Sequence, residues 1–190
     1  IIYHISNRHK ESPTWFVDRN VMKEDYVRSF EKDVYGLISK KEVIMRHHKK
    51  YINDKFAPAW KTIEYMSLGE VCMLYQNLKS VDDRLLISRC FGVNKTVVFE
   101  NYLETIRVIR NLCAHGNVLF DLKLRKGVKK GPAFTVPREN NYNLWSVVEV
   151  VAFFLQRVSK TREKEMRENI ELAIKEAEKK FAGVRKLFWE

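Results

Sequence analysis

The chain has 190 residues, of which 45% are hydrophobic and 31% charged, and it carries a formal net charge of +11 with a pI near 9.6. This composition excludes an intrinsically disordered chain and allows one domain with a well-buried core. The positive charge makes nucleic acid or another polyanion the default partner class. No apolar run approaches the roughly 20 residues of a membrane span, and no secretory leader is visible.

The three cysteines, Cys72, Cys90 and Cys113, are far apart, odd in number and set in apolar surroundings. This pattern predicts reduced core residues in a cytoplasmic protein, because disulfides persist mainly in oxidising compartments. No C-x-x-C pair is present, so the sequence predicts no zinc site.

Two helical stretches are predicted within the first 38 residues, after a short N-terminal segment and a polar loop. Residues 1–5 fit either a short strand or the start of a helix, and Ser12-Pro13 fits the N-cap and first position of a short helix. From residue 22 to residue 38 apolar side chains recur with a helical period, which Gly36 bends or interrupts.

Residues 41–56 form a basic segment that contains His47 and His48. On a helix, adjacent side chains point about 100° apart, so these two imidazoles cannot chelate one metal ion together. The segment is either a solvated basic face or a surface that guides phosphates.

Four helices are predicted between residues 58 and 114. The first begins at Pro58 with Trp60 turned inward, and the second has Ser67 as its N-cap with Glu70 at the spacing of a capping box and buries Met73. A third helix covers residues 80–91, and the helix that follows it carries the candidate site.

That last helix is organised around its end, Arg110 to Gly116. At about 100° per residue its apolar face holds Val98, Phe99, Tyr102, Leu103, Ile106, Ile109 and Cys113. Its polar ridge holds Glu100, Glu104, Arg107, Asn111 and His115. Arg110 falls inside the apolar face, where an unpaired guanidinium is unfavourable. Gly116 fits a left-handed C-cap, which puts His115 at the carboxyl end of the helix, where the helix dipole favours the protonated ring.

Residues 119–142 form an insertion of different character, because apolar residues alternate near its start and basic residues dominate it. It is predicted to be either a β-hairpin or a mobile loop. Its candidate RNA-binding side chains are Lys123, Arg125, Lys126, Lys129 and Lys130. It is either a solvated connector or a segment that grips a nucleic-acid backbone beside His115.

Residues 144–158 are apolar on nearly all sides and are predicted to form a central buried helix. From residue 161 a long helix follows, with an apolar stripe suited to bundle packing or to a coiled-coil-like dimer contact. The fold predicted is all-α, an antiparallel helical bundle with one short basic hairpin or loop insertion. It forms a single domain over 1–190, with a core at about 41–188 and the insertion at about 119–142.

Arg110, Asn111 and His115 match the R-N-x-x-x-H form of the R-x(4–6)-H pattern of HEPN-domain ribonucleases. The surrounding segments PAWKTIEYMSLGEVCMLYQNL (58–78), ISRCFGV (87–93) and LETIRVIRNLCAHG (103–116) resemble the Abi-like, or abortive infection, branch of that superfamily. This branch has P-x-W, an S-[FL]-G turn, an FGV segment and R-N-x-C-A-H in the same order. The resemblance covers about residues 46–120.

The resemblance implies a HEPN-like bundle and an RNA endonuclease that needs no metal and no cofactor, acting in antiviral abortive infection or as a toxin. His115 would be the general acid or base, Arg110 would hold the phosphate, and Asn111 would orient the ring or contact the phosphate. Arg110 and His115 lie about 140° apart on an ideal helix. Members of the superfamily commonly pair to build a composite cleft, so a homodimer is expected.

Two other classes of function stay open. A non-catalytic RNA- or protein-binding HEPN module would keep the fold and the charge without cleaving RNA. A toxin held silent by an antitoxin protein or a regulatory RNA would be an enzyme that a simple assay misses.

Overall fold

The computed structural model describes residues 1–119, 122–133 and 141–185. Within these ranges the chain is helical and contains no β-strand, which confirms the all-α fold class. The chain groups into two compact units, Ile1–Cys90 and Phe91–Glu190. The single 1–190 domain stays a prediction.

The first unit is built from short helices. Its α-helices are α1 (Ile2–Arg8), α2 (Glu24–Phe30), α3 (Gly36–Ile38), α4 (Glu42–Lys50), α5 (Ala59–Thr62), α6 (Leu68–Gln76) and α7 (Val81–Cys90). Two 3-10 turns (Trp15–Val17 and Ile63–Tyr65) and a π-helical segment (Glu31–Tyr35) complete it. Residues 2–5 are therefore helical, and the break predicted at Gly36 begins earlier, in the π-helical segment.

Local sequence signals fix the ends of several of these helices. The capping box of α6 is confirmed, because Ser67 Oγ accepts from the Glu70 amide at 3.3 Å and Glu70 accepts from the Ser67 amide at 2.5 Å. The buried Asp83 of α7 lies 3.0 Å from both Arg8 Nε and His9 Nε2. The ion pair with Arg8 compensates the charge of the buried carboxylate, and the contacts tie the end of α1 to α7.

Two expectations for the first unit are wrong. Trp60 is 53% exposed, because α5 is a single turn that buries Ala59 and Thr62 instead. Met73 is exposed, since Cys72, Leu74 and Tyr75 provide the inward face of α6.

His47 belongs to the basic segment of residues 41–56. Its side chain is buried, its Nε2 lies 3.1 Å from Asp54, and burial lowers the pKa of its imidazole, with nearby Lys61 acting in the same direction. The neighbouring His48 contacts the hydroxyl of Tyr35 at 2.8 Å. Both histidines therefore take part in packing, whereas Lys49 and Lys50 remain at the surface.

The second unit contains α8 (Thr96–Ala114), α9 (Leu144–Val158) and α10 (Lys160–Glu178). α9 has the predicted bounds, and its N-cap Asn143 accepts from the Ser146 amide at 3.0 Å. Arg167 of α10 contacts Glu149 of α9 at 3.1 and 3.2 Å. Each residue of this pair is nine positions from Val158 (149 to 158, 158 to 167), so α10 runs back along α9.

The predicted burial of α9 and α10 holds for one side of each helix. On α9, Val147 and Val150 are buried, whereas Val158 at its end is exposed. On the C-terminal stripe Ile174 is buried, but Phe181 is 68% exposed. The apolar character of both helices therefore exceeds what the described core covers.

Two cysteines differ from the prediction of three core thiols. Cys72 is buried, but Cys90 and Cys113 are exposed. Both exposed cysteines lie in the last turn of a helix.

Candidate active site

The carboxyl end of α8 has the glycine C-cap that the sequence predicts. Gly116 has a φ of 64°, a left-handed conformation that suits glycine. The Gly116 amide donates to the Cys113 carbonyl at 3.2 Å, and the Asn117 amide donates to the Leu112 carbonyl at 2.9 Å. These two bonds are those of a Schellman motif, which makes His115 the C-cap residue of α8.

All three candidate catalytic residues lie at this end of α8 and reach solvent. Arg110 and His115 are exposed and Asn111 is half-buried. Asn111 is connected to both neighbours: its side-chain oxygen accepts from Arg110 Nη1 at 3.2 Å, and its backbone carbonyl accepts from the His115 amide at 3.1 Å. The predicted contact of Asn111 with the His115 ring stays a prediction.

The expectation that Arg110 faces a core is wrong. Phe99 and Tyr102, near the start of α8, are buried, but Ile109 is only half-buried and Cys113 is exposed. The apolar face is therefore covered over the first turns and open over the last. Arg110 shares the angular sector of the core but lies beyond its edge.

α8 stays regular up to Ala114, so Arg110 and His115 keep the angular separation of about 140° that five helical residues impose. Within the described residues no hydrogen bond or ion pair joins their side chains. One chain therefore presents the guanidinium and the imidazole on different sides of the same helix end.

The basic insertion is a loop over its described residues 122–133, and these contain no strand. All five candidate RNA-binding side chains are exposed: Lys123, Arg125, Lys126, Lys129 and Lys130. Residues 120–121 and 134–140 of the insertion lie outside the described residues. Of the two predicted alternatives, the described part of the insertion therefore fits the loop and not the hairpin.

The side chain of Asn101 fixes this loop to α8. Its amide nitrogen donates to the Gly127 carbonyl at 3.1 Å, and its oxygen accepts from the Lys129 amide at 2.7 Å. Gly131 approaches α8 so closely that a Cβ there would lie 2.6 Å from the Tyr102 hydroxyl. The loop is therefore anchored at several points, and its cations are held beside α8.

A cavity of about 440 Å³ lies between α8 and the loop, on the side of α8 that carries Asn101 and Val108. Its floor is aliphatic, from Val108, Leu112 and Leu122, and cationic side chains surround it. Glu104 is the acidic residue of the lining. Hydrogen bonds from Arg107 at 2.6 and 2.8 Å hold the pKa of Glu104 below its ordinary value, and Lys126 acts in the same direction.

A second concavity, of about 370 Å³, lies on another side of α8. It is almost entirely apolar and lies where the three helices meet, with Ile109 and Cys113 of α8, Val148 of α9 and Ile170 of α10 in its lining. We call it the apolar groove. Arg110 does not line this groove and lies about 60° around α8 from Cys113, which does.

Sequence reasoning missed two parts of this site. One is the anchoring role of Asn101, whose position in the interior of a helix was an unused signal, since asparagine is a poor helix former. The other is the Glu104–Arg107 pair, whose spacing of three residues is that of neighbours on a helix surface. Asn101 and Glu104 both interact with the insertion. The sequence alone does not show where along α8 the insertion packs.

A family model described as Abi-like protein matches residues 1–121. This match covers α1 to α8 and includes Arg110, Asn111 and His115. No curated protein and no solved structure gives a significant match to the chain. In the described part of the chain, no three His, Cys, Asp or Glu side chains form a cluster suited to a metal ion, and no described helix has the length and apolar character of a membrane span. Since the family model covers well over half of the sequence, the chain belongs to the family of Abi-like proteins.

Proposed function

We propose that this protein is an endoribonuclease of the HEPN superfamily that acts in abortive infection and cleaves RNA without a metal ion. The observation that carries the proposal is the arrangement at one helix end. Arg110 and His115 are both exposed there, and a loop with five exposed cations is anchored to the same helix at Asn101. Cationic loops of this kind hold a phosphate backbone, and the two motif residues supply the chemistry that its cleavage needs.

The proposed chemistry uses groups that RNA and these side chains already possess. A base removes the proton of the ribose 2′-OH, whose oxygen attacks the adjacent phosphorus. The bond from phosphorus to the 5′-oxygen breaks, and an acid protonates the leaving oxygen, so the products carry a 2′,3′-cyclic phosphate and a 5′-OH. His115 acts as the base or the acid, because imidazole exchanges a proton near neutral pH. Arg110 stabilises the charge that develops on the phosphate oxygens.

We propose further that the active unit is a homodimer. Arg110 and His115 of one chain lie on different sides of α8, whereas two copies related by a two-fold axis could place one residue of each kind at the same phosphate. The apolar groove offers a surface for such pairing. Because each chain carries a formal charge of +11, the contact must be centred on apolar side chains.

A second candidate function is a non-catalytic RNA-binding module. It is favoured by the same cationic loop, because a loop that holds RNA does not require Arg110 and His115 to meet. The two functions differ in one respect that can be measured: the binding module retains RNA intact, and the enzyme leaves fragments with cyclic phosphate ends.

The test compares RNA cleavage by the wild-type protein in EDTA with cleavage by His115→Ala and Arg110→Ala. Each substitution is expected to reduce cleavage by at least a hundredfold while RNA binding changes little, as is typical for a lost acid–base or charge-stabilising group. Asn117→Ala, at an exposed neighbour of the motif, and Arg89→Ala, at an exposed arginine on α7, are matched controls that should cleave normally. Full activity of His115→Ala, or cleavage that requires Mg²⁺, would contradict the proposal.

Mixing the two inactive variants tests the dimer. If each site takes Arg110 from one chain and His115 from the other, a mixed dimer contains one intact site and regains part of the activity. If both residues act from the same chain, mixing restores nothing. A protein that light scattering finds monomeric at micromolar concentration, yet that cleaves RNA, would refute the shared cleft.

A further inference from the structure

We propose that the cavity between α8 and the basic loop binds one nucleotide of an RNA strand, with the base on its aliphatic floor and the phosphate at its cationic edge. This inference rests on the proposed function and adds a substrate subsite to it. The cavity, at about 440 Å³, is large enough for a nucleotide and is lined by side chains from two elements.

The chemistry of the lining fits a ligand that is both flat and anionic. Val108, Leu112 and Leu122 give an aliphatic surface against which a base can lie. The cations at the edge of the cavity suit a phosphate. A ligand that joins an apolar ring to a phosphate uses both features, whereas a free inorganic phosphate uses only one.

Glu104 favours a nucleotide over a free phosphate as the ligand of the cavity. Its lowered pKa keeps the carboxylate ionised at neutral pH, and it lies in the lining of the cavity. A carboxylate repels a bare anion, but it accepts hydrogen bonds from the amino and imino groups at the edge of a base. The cavity therefore offers an acceptor for the base in addition to donors for the phosphate.

The walls of the cavity are built before any ligand binds. Leu124 is buried, and its amide donates to the Tyr142 carbonyl at 2.8 Å. Asn101 holds the next part of the loop, at Gly127 and Lys129. A preformed wall removes part of the entropic cost of ordering a loop around the ligand.

The position of the cavity links it to the motif. His115 is seven residues beyond Val108, which returns it to within about 20° of the same side of α8, and it is about 4.5 Å along the axis beyond Leu112. Arg110 is about 160° away from Val108 on the helix surface. A nucleotide in the cavity would therefore direct the adjoining phosphate of its strand toward His115 of the same chain.

The test is calorimetric titration of the full chain in EDTA with 5′-AMP, 5′-CMP, 5′-GMP and 5′-UMP, and separately with inorganic phosphate. Val108→Trp fills the cavity without changing its charge and should weaken binding of the best monophosphate about tenfold or more, which is the scale of a lost base-stacking contact. Val97→Trp, at an exposed position of the same helix outside the cavity, is the control and should bind as the wild type does. Inorganic phosphate should bind at least tenfold more weakly than the monophosphate.

A second substitution, Leu122→Trp, fills the cavity from the loop side. It replaces Val108→Trp in the binding test if circular dichroism finds that variant unfolded. Unchanged monophosphate affinity in a folded cavity-filled variant, or equal affinity for inorganic phosphate, would overturn the proposal. A single-stranded RNA oligonucleotide should displace the monophosphate from His115→Ala protein. Failure to displace it would mean that the cavity serves a free nucleotide, and the RNA subsite would be refuted.

The same experiments separate this inference from the proposed function. If the wild type cleaves RNA but the cavity-filled variants retain nucleotide binding, the subsite is wrong and the enzyme stands. If nucleotides and RNA bind in the cavity but no RNA is cleaved, the catalytic proposal fails and the binding site is confirmed.

Discussion

The glycine that ends α8 allows a direct test of the helix end that presents His115. Gly116 has a φ of 64°, and a Cβ added there would meet nothing within 4 Å. Gly116→Ala therefore changes backbone preference without introducing a clash. Forcing an L-residue other than glycine into the left-handed region costs roughly 1–2 kcal/mol. For a chain of this size, a loss of about 1 kcal/mol lowers the Tm by roughly 2–4 °C.

The chain contains its own control for this substitution. Gly183 has a φ of 86°, a Cβ there would also meet nothing within 4 Å, and it lies beyond the end of α10. Gly183→Ala should therefore lower the Tm by a similar amount. Gly116→Asn should lie between Gly116→Ala and the wild type, because asparagine tolerates the left-handed region better than alanine.

The assay is thermal unfolding followed at 222 nm, combined with RNA cleavage under the conditions used for the wild type. Only Gly116→Ala should reduce cleavage beyond what its stability loss explains, because the two capping bonds of α8 fix the backbone on either side of His115. Equal cleavage by Gly116→Ala and Gly183→Ala would refute the link between this helix end and activity. An unchanged Tm for both variants would refute the backbone argument itself.

Two further predictions concern the basic loop and the buried histidine. Replacing Lys123, Lys126 and Lys129 with Glu should weaken RNA binding and reduce the slope of log affinity against log salt by about 2, since each lost phosphate contact removes about 0.7. The same replacement at Lys160, Lys175 and Lys179 is the control with an equal change of charge. Equal effects of both sets would mean that the loop is only a connector and does not bind RNA. For His47, burial lowers the folded-state pKa, so below about pH 6.5 the unfolded chain takes up a proton that the folded chain resists. The free energy of unfolding in urea should therefore fall from pH 7.5 to pH 5.5, and a His47→Gln variant with the same fall would contradict this assignment.

Much of the helical framework could be predicted because its signals are local. The Ser67–Glu70 capping box, the bounds of α9 and the left-handed Gly116 depend on residues that are close in sequence. Burial was predicted less well, because it depends on which neighbour covers a helix face. The exposed Trp60 and the buried His47 have the expected helical positions but not the expected environments.

Prediction of the candidate site from the sequence has the same limits. The helical wheel correctly gives the angular separation of Arg110 and His115, because α8 is regular up to Ala114. It places Arg110 in a core, because it assumes that the core extends along the whole helix. The cavity beside Asn101 could not be predicted at all, since it depends on how residues 122–133 fold back against α8, and no periodicity in either segment encodes that contact.

The proposed homodimer rests on the geometry of α8. The cavity and His115 lie on the same side of α8 to within about 20°, whereas Arg110 lies about 160° away from Val108, which lines the cavity. A phosphate held by both residues of one chain would have to span about 140° of a helix roughly 10 Å wide. In the proposed homodimer, His115 of a second copy would approach the Arg110 side of the first chain from outside. Two chains of charge +11 repel each other at low salt, and in this proposal a bound RNA strand would supply the negative charge that offsets the repulsion.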